Sequence, residues 1–514
     1  MKLDPSHSVQ VLDRASLERF TTDLIEAGFH AAGGTGQQDW VGPVPDCFHQ
    51  LTAARTMLIS IRDGWPFVHP RVVIKGISGE HTGAGGVICL WAEDDQSCEW
   101  LRYEGFTQRA QQWCERARNG FSQIDEGLDA YLGFEFSEDV LVTYDLARLL
   151  EGVSQDGKHQ RIHGVQHNPK LLELHHGNGS VGDLPGRLFY RASLPAPPRN
   201  LAEFESALDS RQLARFKRDT ERTPEDLEPP IQLVVLAWRH GGQPDMQVFR
   251  VAQTDGGTHL TSLHLAPNDK ATLLRRAGID APELLKRHVI VFGVGAVGSQ
   301  VALLLAECGV GRMQLVDRDV LRPGNVVRHL GHRRDIGFPK VFIAEFEING
   351  HAPWTTVTTI PRNVVGPDDI KTVISSGDVV VDTTGGWAFQ QLVSGVAAQS
   401  NVPLISAALY RGGSIGRVRR QRAGDSPIWE RADPKYPTIP PDHLAQDFTL
   451  ETGCSAPVSN APPASVTALA ALVVHITVDV LMERNDYPEE VIEVYRPIGV
   501  PPFDRVGRIL CPKS

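Results

Sequence analysis

Gly293, Gly295 and Gly298 form a G-x-G-x-x-G set inside RHVIVFGVGAVG, directly before the apolar run VALLLAECG. Strand, glycine turn and helix start are the context in which such glycines let backbone approach a phosphate. The helix then adds free N–H groups and the positive end of its dipole. Asp317 ends the next apolar run, MQLVD, 19 residues after Gly298, where a carboxylate can take a ribose hydroxyl. Up to this point a nicotinamide dehydrogenase is served equally well. The continuation separates the two. D-R-D-V-L-R-P-G-N-V-V-R brings Asp317, Asp319, Asn325 and Arg328 into one short segment, Lys340 follows, and Asp382 ends the run DVVVD. Two cations suit a triphosphate better than a pyrophosphate diester. A carboxylate at the C-terminal end of a strand, beside phosphates, suits Mg2+.

Seven cysteines, an odd number in a chain of 514 residues, argue against a disulfide scaffold and for free thiols in a reducing compartment. Cys308 sits in an apolar helix and reads as core, and Cys511 lies in a strand-like RILCP. Cys454, in LETGCSAPVSN, stands among small polar residues shortly before a helix, where a thiolate is favoured if the helix start approaches it. Cys89, between Ile88 and Leu90 in GGVICLW, reads by itself as a buried strand residue. Five histidines between His159 and His176 have no ligand spacing and read as a solvated loop. RVRRQR at 417–422 could dock an acidic partner, but reads first as a solvated loop. No CxxC pair is present for a structural zinc.

The elements that must position these residues follow from periodicity. At ~150 residues per domain the length predicts three to four domains. Residues 10–30 have helical spacing, with Ser16 as the expected cap. TMLISIRDG, FVHPRVVIKG and GGVICLW read as short strands, and Trp100 to Arg118 as a second helix. An α+β domain is therefore expected over 1–145. Proline-rich stretches and strand-like runs over 146–270 predict a connector domain. From 271 to 514, near-continuous apolar strands alternate with helices, the pattern of a doubly wound, mostly parallel, Rossmann-like sheet. The whole is a multidomain chain of α/β and α+β class. A net charge of −11 disfavours a nucleic-acid partner. No signal peptide is recognised, and the run Ala464 to Met482 is interrupted by His475 and Asp479, so a cytoplasmic protein without a membrane span is expected.

The set Gly293, Gly295, Gly298, Asp317, Asp319, Asn325, Arg328, Lys340 and Asp382 resembles the ATP site of the adenylating domain of E1-like, ubiquitin-activating enzymes and their bacterial sulfur-carrier relatives. The resemblance implies ATP and Mg2+ as cofactors, with Asp382 on the metal, Asp317 on the ribose, and Arg328 and Lys340 on the phosphates. It implies a homodimer through this domain and a thiol in a crossover loop, a place Cys454 fills. The first domain is similar to ubiquitin-conjugating E2 domains over FVHPRVVIKG…HTGAGGVICLW, with Cys89 in the active-cysteine position. It departs from them in having no Asn after the His-Pro. His81, upstream of Cys89, has no assigned role. Together the domains resemble bacterial E2–E1 fusions of antiphage defence operons, of which the type II CBASS proteins are the nearest kind. That resemblance implies a protein substrate with a free C-terminus, either a cGAS-like nucleotidyltransferase or a ubiquitin-like protein. The substrate would pass from Cys454 to Cys89 and on to a target amine. Two other readings stand beside it, a sulfur-carrier adenylyltransferase with an inert N-terminal domain and a nucleotide-binding scaffold.

Overall fold

The computed structural model describes residues 11–32, 38–77, 81–83, 85–91, 95–119, 121, 136–194, 197–198, 200–221, 229–240, 243–443, 447–449 and 458–511. The chain divides into two compact units, 1–269 and 270–514.

The first unit opens with the helix Arg14–Glu26. Its cap is Asp13, whose carboxylate accepts from the N–H groups of Ala15 and Ser16, and not Ser16 as expected. The helix begins three residues earlier than Ser16 would allow, and the Ser16 hydroxyl instead accepts the Trp65 indole N–H at 2.8 Å. Six short antiparallel strands follow, in the spatial order His30–Ala31, Asp39–Pro43, Thr56–Ser60, Arg71–Val73, Val87–Ile88, Thr82–Gly83. The helix Tyr103–Asn119 shares a core with them, in which Phe20, Ile59, Trp65, Val72 and Phe106 are buried.

Seven further strands close a barrel: Leu184–Tyr190, Leu233–His240, Gln243–Thr254, Gly257–Pro267, Phe136–Tyr144, Leu171–His176, His159–Asn168. Phe136–Tyr144 lies before the expected boundary at 145/146, because it pairs in parallel with Gly257–Pro267 and Leu171–His176. Leu233, Val235 and Ala237 belong to one core, while Val234, Leu236 and Trp238 pack with Phe204 and Phe216 in another. Burial of both faces explains a strand that reads as an unbroken apolar run. The five histidines lie on His159–Asn168 and Leu171–His176, which are strands and not a solvated loop; His163 stands opposite His175, with stacked rings 5.4 Å apart. No group of three or more metal-ligating side chains occurs among the described residues.

The second unit is an eight-stranded sheet. Its order is Thr356–Ile360, Arg312–Val316, His288–Phe292, Val379–Asp382, Leu404–Tyr410, Ile415–Gln421, Glu490–Val494, Gly507–Cys511. The first five strands are parallel and the last three join antiparallel. Alternate residues of His288–Phe292 face opposite ways. Val289 and Val291 pack with the helices Ala296–Glu307, Lys340–His351 and Pro463–Leu481, and Ile290 and Phe292 with Pro367–Ile374 and Trp387–Ser400. Pro463–Leu481 is long and apolar enough to cross a membrane, with mean hydropathy 2.0, yet 67% of that stretch is buried in this core. RVRRQR is a sheet strand and not a solvated loop. Arg417 pairs with Glu490, Arg420 with Asp425 at 2.8 Å, and Arg431 reaches Glu490 at 3.6 Å. Buried guanidiniums persist where carboxylates pair with them.

Candidate active site

The glycine loop is built by packing on one side and left open on the other. Gly293 has φ +83°, and a Cβ there would stand 2.8 Å from the Thr384 nitrogen. At Gly298 it would stand 1.8 Å from the Gly293 carbonyl oxygen and 2.3 Å from the Thr383 hydroxyl. These two glycines are therefore required by the neighbouring turn after Val379–Asp382. Gly295 differs, since a Cβ there meets nothing within 4 Å. It heads the helix Ala296–Glu307, which has no side-chain cap. An uncapped, open helix start presents N–H groups and a positive dipole end to an anion.

Asp317 fixes this loop. One carboxylate oxygen accepts the Val294 N–H and the other the Asp319 N–H, each at 2.8 Å. Burial pushes its carboxyl up from the ordinary range, opposed by the nearby Lys340 ammonium. Because a carboxylate has about four acceptor positions, two are still available, enough for a ribose hydroxyl. Lys340, at the start of Lys340–His351, bonds Asp319 at 3.1 Å. The Asn325 side-chain oxygen accepts the Arg322 N–H at 3.1 Å and closes the turn Pro323–Asn325. The Arg328 guanidinium donates to the carbonyls of Ser459 and Ala461 at 2.6 and 3.2 Å.

Asp382 is 2% exposed, and both its oxygens accept hydrogen bonds. One oxygen accepts the Thr384 N–H and hydroxyl at 3.1 and 2.7 Å, the other the Ser406 hydroxyl at 3.0 Å. Burial pushes its carboxyl up. As arranged, it holds the turn that carries Thr383 and Thr384 against the loop, and the oxygen bonded to Ser406 keeps one acceptor position.

Sequence reasoning missed His329, a buried side chain one residue after Arg328 whose ring touches the loop carbonyl of Val294. A single histidine beside a recognised arginine carries no spacing signal of its own.

Of the two candidate thiols, Cys454 falls outside the described residues. The chain on its two sides, Phe448–Thr449 and Val458–Ser459, forms an antiparallel pair. Cys89 is half-buried just after the strand Val87–Ile88, and its N–H donates to the His81 carbonyl at 2.9 Å. Burial pushes its thiol up, so it is not a resting thiolate. His81 has left-handed backbone (φ 54°) and its ring lies 4.2 Å from that of Phe121. Cys511 is buried, its thiol pushed up to about 11.

Residues 271–491 match the model of the ThiF family. The ThiS sulfur-carrier adenylyltransferase of Escherichia coli K12 is 31% identical over 179 residues, which cover 34% of this chain and 67% of that protein. The SAMP-activating enzyme E1 of Haloferax volcanii is 31% identical over 129 residues, covering 25% of this chain and 47% of that protein. An uncharacterized protein, y4oA, of Sinorhizobium fredii is 25% identical over 312 residues, covering 56% of this chain and 52% of that one. The chain thus spans about half the length of the SAMP-activating enzyme and of y4oA, 47% and 52%. With the glycine loop, the uncapped helix and the Asp317 frame in a Rossmann-like sheet, the chain belongs to the ThiF family, its C-terminal unit carrying the E1-like adenylation domain.

Proposed function

We propose that the C-terminal unit binds ATP at the Gly293–Gly298 loop and adenylates the C-terminal carboxyl group of a small carrier protein of the ubiquitin-like kind. The observation that carries this reading is Gly295, open to solvent at an uncapped helix start while the residue before it is pinned by Asp317. A relative named as the adenylyltransferase of the sulfur carrier protein ThiS, and another named a SAMP-activating E1, support the substrate class.

In the proposed step a carboxylate oxygen attacks the α-phosphorus of ATP. The new O–P bond forms as the bond to the β-phosphate breaks, and pyrophosphate leaves with the electron pair. Lys340 and Arg328 meet the charge that develops on it. Lys340 does so by leaving Asp319, and Arg328 by leaving the carbonyls of Ser459 and Ala461. Asn325 holds the turn between them, and Asp317 keeps an acceptor for the ribose. When bound with the nucleotide, Mg2+ supplies further charge neutralisation. Asp382 is the carboxylate we assign to it, through the oxygen that accepts only the Ser406 hydroxyl. The test is mass spectrometry of a carrier protein incubated with the full chain and ATP. A shift by one AMP is expected with a free C-terminus and none with an amidated one; no shift with either discards the proposal.

A second reading adds a thioester relay from Cys454 to Cys89 and then to a target amine. In it the chain is an E2–E1 fusion of antiphage defence, acting in the cytoplasm on a cGAS-like nucleotidyltransferase or a ubiquitin-like protein. Cys89 favours it, half-exposed just past a sheet strand in a small helix-and-meander domain. On a non-reducing gel, DTT-sensitive adducts should disappear with Cys454→Ala and change with Cys89→Ala. Adducts indifferent to both would leave adenylation without a relay. A homodimer is also proposed, on the exposed Phe338, Phe342 and Phe346, which recur every fourth residue. Sedimentation of the full chain decides between one copy and two.

A further inference from the structure

His329 is 7% exposed, and both its ring nitrogens are committed to backbone. Nε2 lies 3.0 Å from the Val294 carbonyl oxygen, and Nδ1 lies 2.9 Å from the Gly331 nitrogen. A carbonyl only accepts and a backbone N–H only donates, so the ring must be neutral with its proton on Nε2. Burial and the Lys340 ammonium favour the same form, pushing the ring down to about 4.

The consequence lies in the peptide that joins Val294 to Gly295. A trans peptide is planar, with its C=O and N–H pointing in opposite directions. Fixing the Val294 carbonyl on His329 therefore aims the Gly295 N–H away from the ring. The preceding peptide is fixed in the same manner. The Val294 N–H is held by Asp317 at 2.8 Å, and the Gly293 carbonyl accepts the Thr383 hydroxyl at 2.6 Å. Two consecutive peptides of the loop are thus oriented by three side chains, and among the described residues His329 sets the one whose N–H opens the helix.

We infer that His329 is a positioning residue for the nucleotide: by holding the Val294 carbonyl it orients the Gly295 N–H toward bound phosphate. The inference rests on the ATP reading above. Without the ring the Val294 carbonyl loses its donor and the peptide is free to rotate, at the expense of a donor at the open end of the helix.

The test compares the full chain with His329→Ala and His329→Gln. Glutamine carries one amide donor and one carbonyl acceptor, so it can meet both backbone partners. For His329→Ala, loss of one oriented hydrogen bond should raise the KM for ATP by roughly 5- to 10-fold. The kcat should change far less, and His329→Gln should recover most of the loss. Amide exchange without nucleotide supplies an independent reading, with peptides spanning 293–298 exchanging faster in His329→Ala and as wild type in His329→Gln. Equal KM in all three proteins would overturn the inference. So would a fall in kcat and stability that glutamine does not rescue, which marks a merely structural histidine. If the wild type does not turn over ATP at all, the adenylation reading fails by itself, and unchanged exchange over 293–298 in His329→Ala would then sink the inference separately.

Discussion

The glycine loop and the Cys89 turn are both short connections after a strand, but they are prepared to very different degrees. In the loop, consecutive backbone groups are fixed by Asp317, Thr383 and His329, and Gly295, where a Cβ would meet nothing, is where a ligand would enter. At Cys89 the backbone N–H donates to the His81 carbonyl and the Leu90 carbonyl accepts from Arg109, while burial raises the thiol itself. Preorganised donors act on charge without reorganising at the moment of reaction. A thiol raised by burial has to be activated by something that arrives later. The difference teaches that the proposed adenylation site is preorganised in its backbone, whereas the proposed transfer to Cys89 would need a partner or a conformational change.

The sharpest way to break that contrast is to remove a phosphate cation. Lys340→Ala should lower adenylation by about 10²-fold or more, the scale of deleting one oriented charge from a transition state. Steady-state rates of pyrophosphate release measure it. Next in size is a pair of glycine substitutions. Gly298→Ala forces a Cβ to 1.8 Å from the Gly293 carbonyl, and should cost about 3 kcal/mol in urea unfolding, at the upper end for overpacking. Gly295→Ala meets no protein atom and should leave stability within about 0.5 kcal/mol while weakening ATP binding. Equal stability losses would mean that Gly295 is as packed as its neighbour.

The third prediction concerns pH. A ring held at about 4 binds its proton later than a free histidine at 6.5. The folded state therefore carries fewer protons between these values. The contribution of His329 is complete above pH 6.5 and is lost as pH falls toward 4, by about 3 kcal/mol at most. His329→Gln should flatten this part of the stability curve. The smallest effect is at Cys89, whose alkylation by iodoacetamide should have its midpoint above the ordinary 9.0 of a thiol. A midpoint below that value would mean that the turn already holds a thiolate, and the contrast with the loop would collapse.

What could be read in the sequence was local. Strand, glycines, helix and the Asp317-to-Lys340 series are contiguous patterns, and the family match over 271–491 covers them. What could not be read depends on distant partners. The arginines of 417–422 resemble a solvated run until Glu489, Glu490 and Arg431 are brought beside them from other parts of the chain. The histidines of 159–176 resemble a loop until barrel closure makes them strands, through a parallel pairing between Phe136–Tyr144 and Leu171–His176. Asp382 was legible as a carboxylate at a strand end. Its engagement by Thr384 and Ser406 was not, because Ser406 lies on the next strand. His329 was invisible for the same reason, since Val294, the residue that gives it meaning, is 35 positions away.

The central claim, that this chain activates a carboxyl terminus with ATP, is tested most directly by ATP–pyrophosphate exchange. The full-length protein should return labelled pyrophosphate to ATP only when a carrier with a free C-terminal carboxylate is present, and Lys340→Ala should abolish most of the signal. Exchange that needs no carrier, or that survives Lys340→Ala unchanged, would contradict the account.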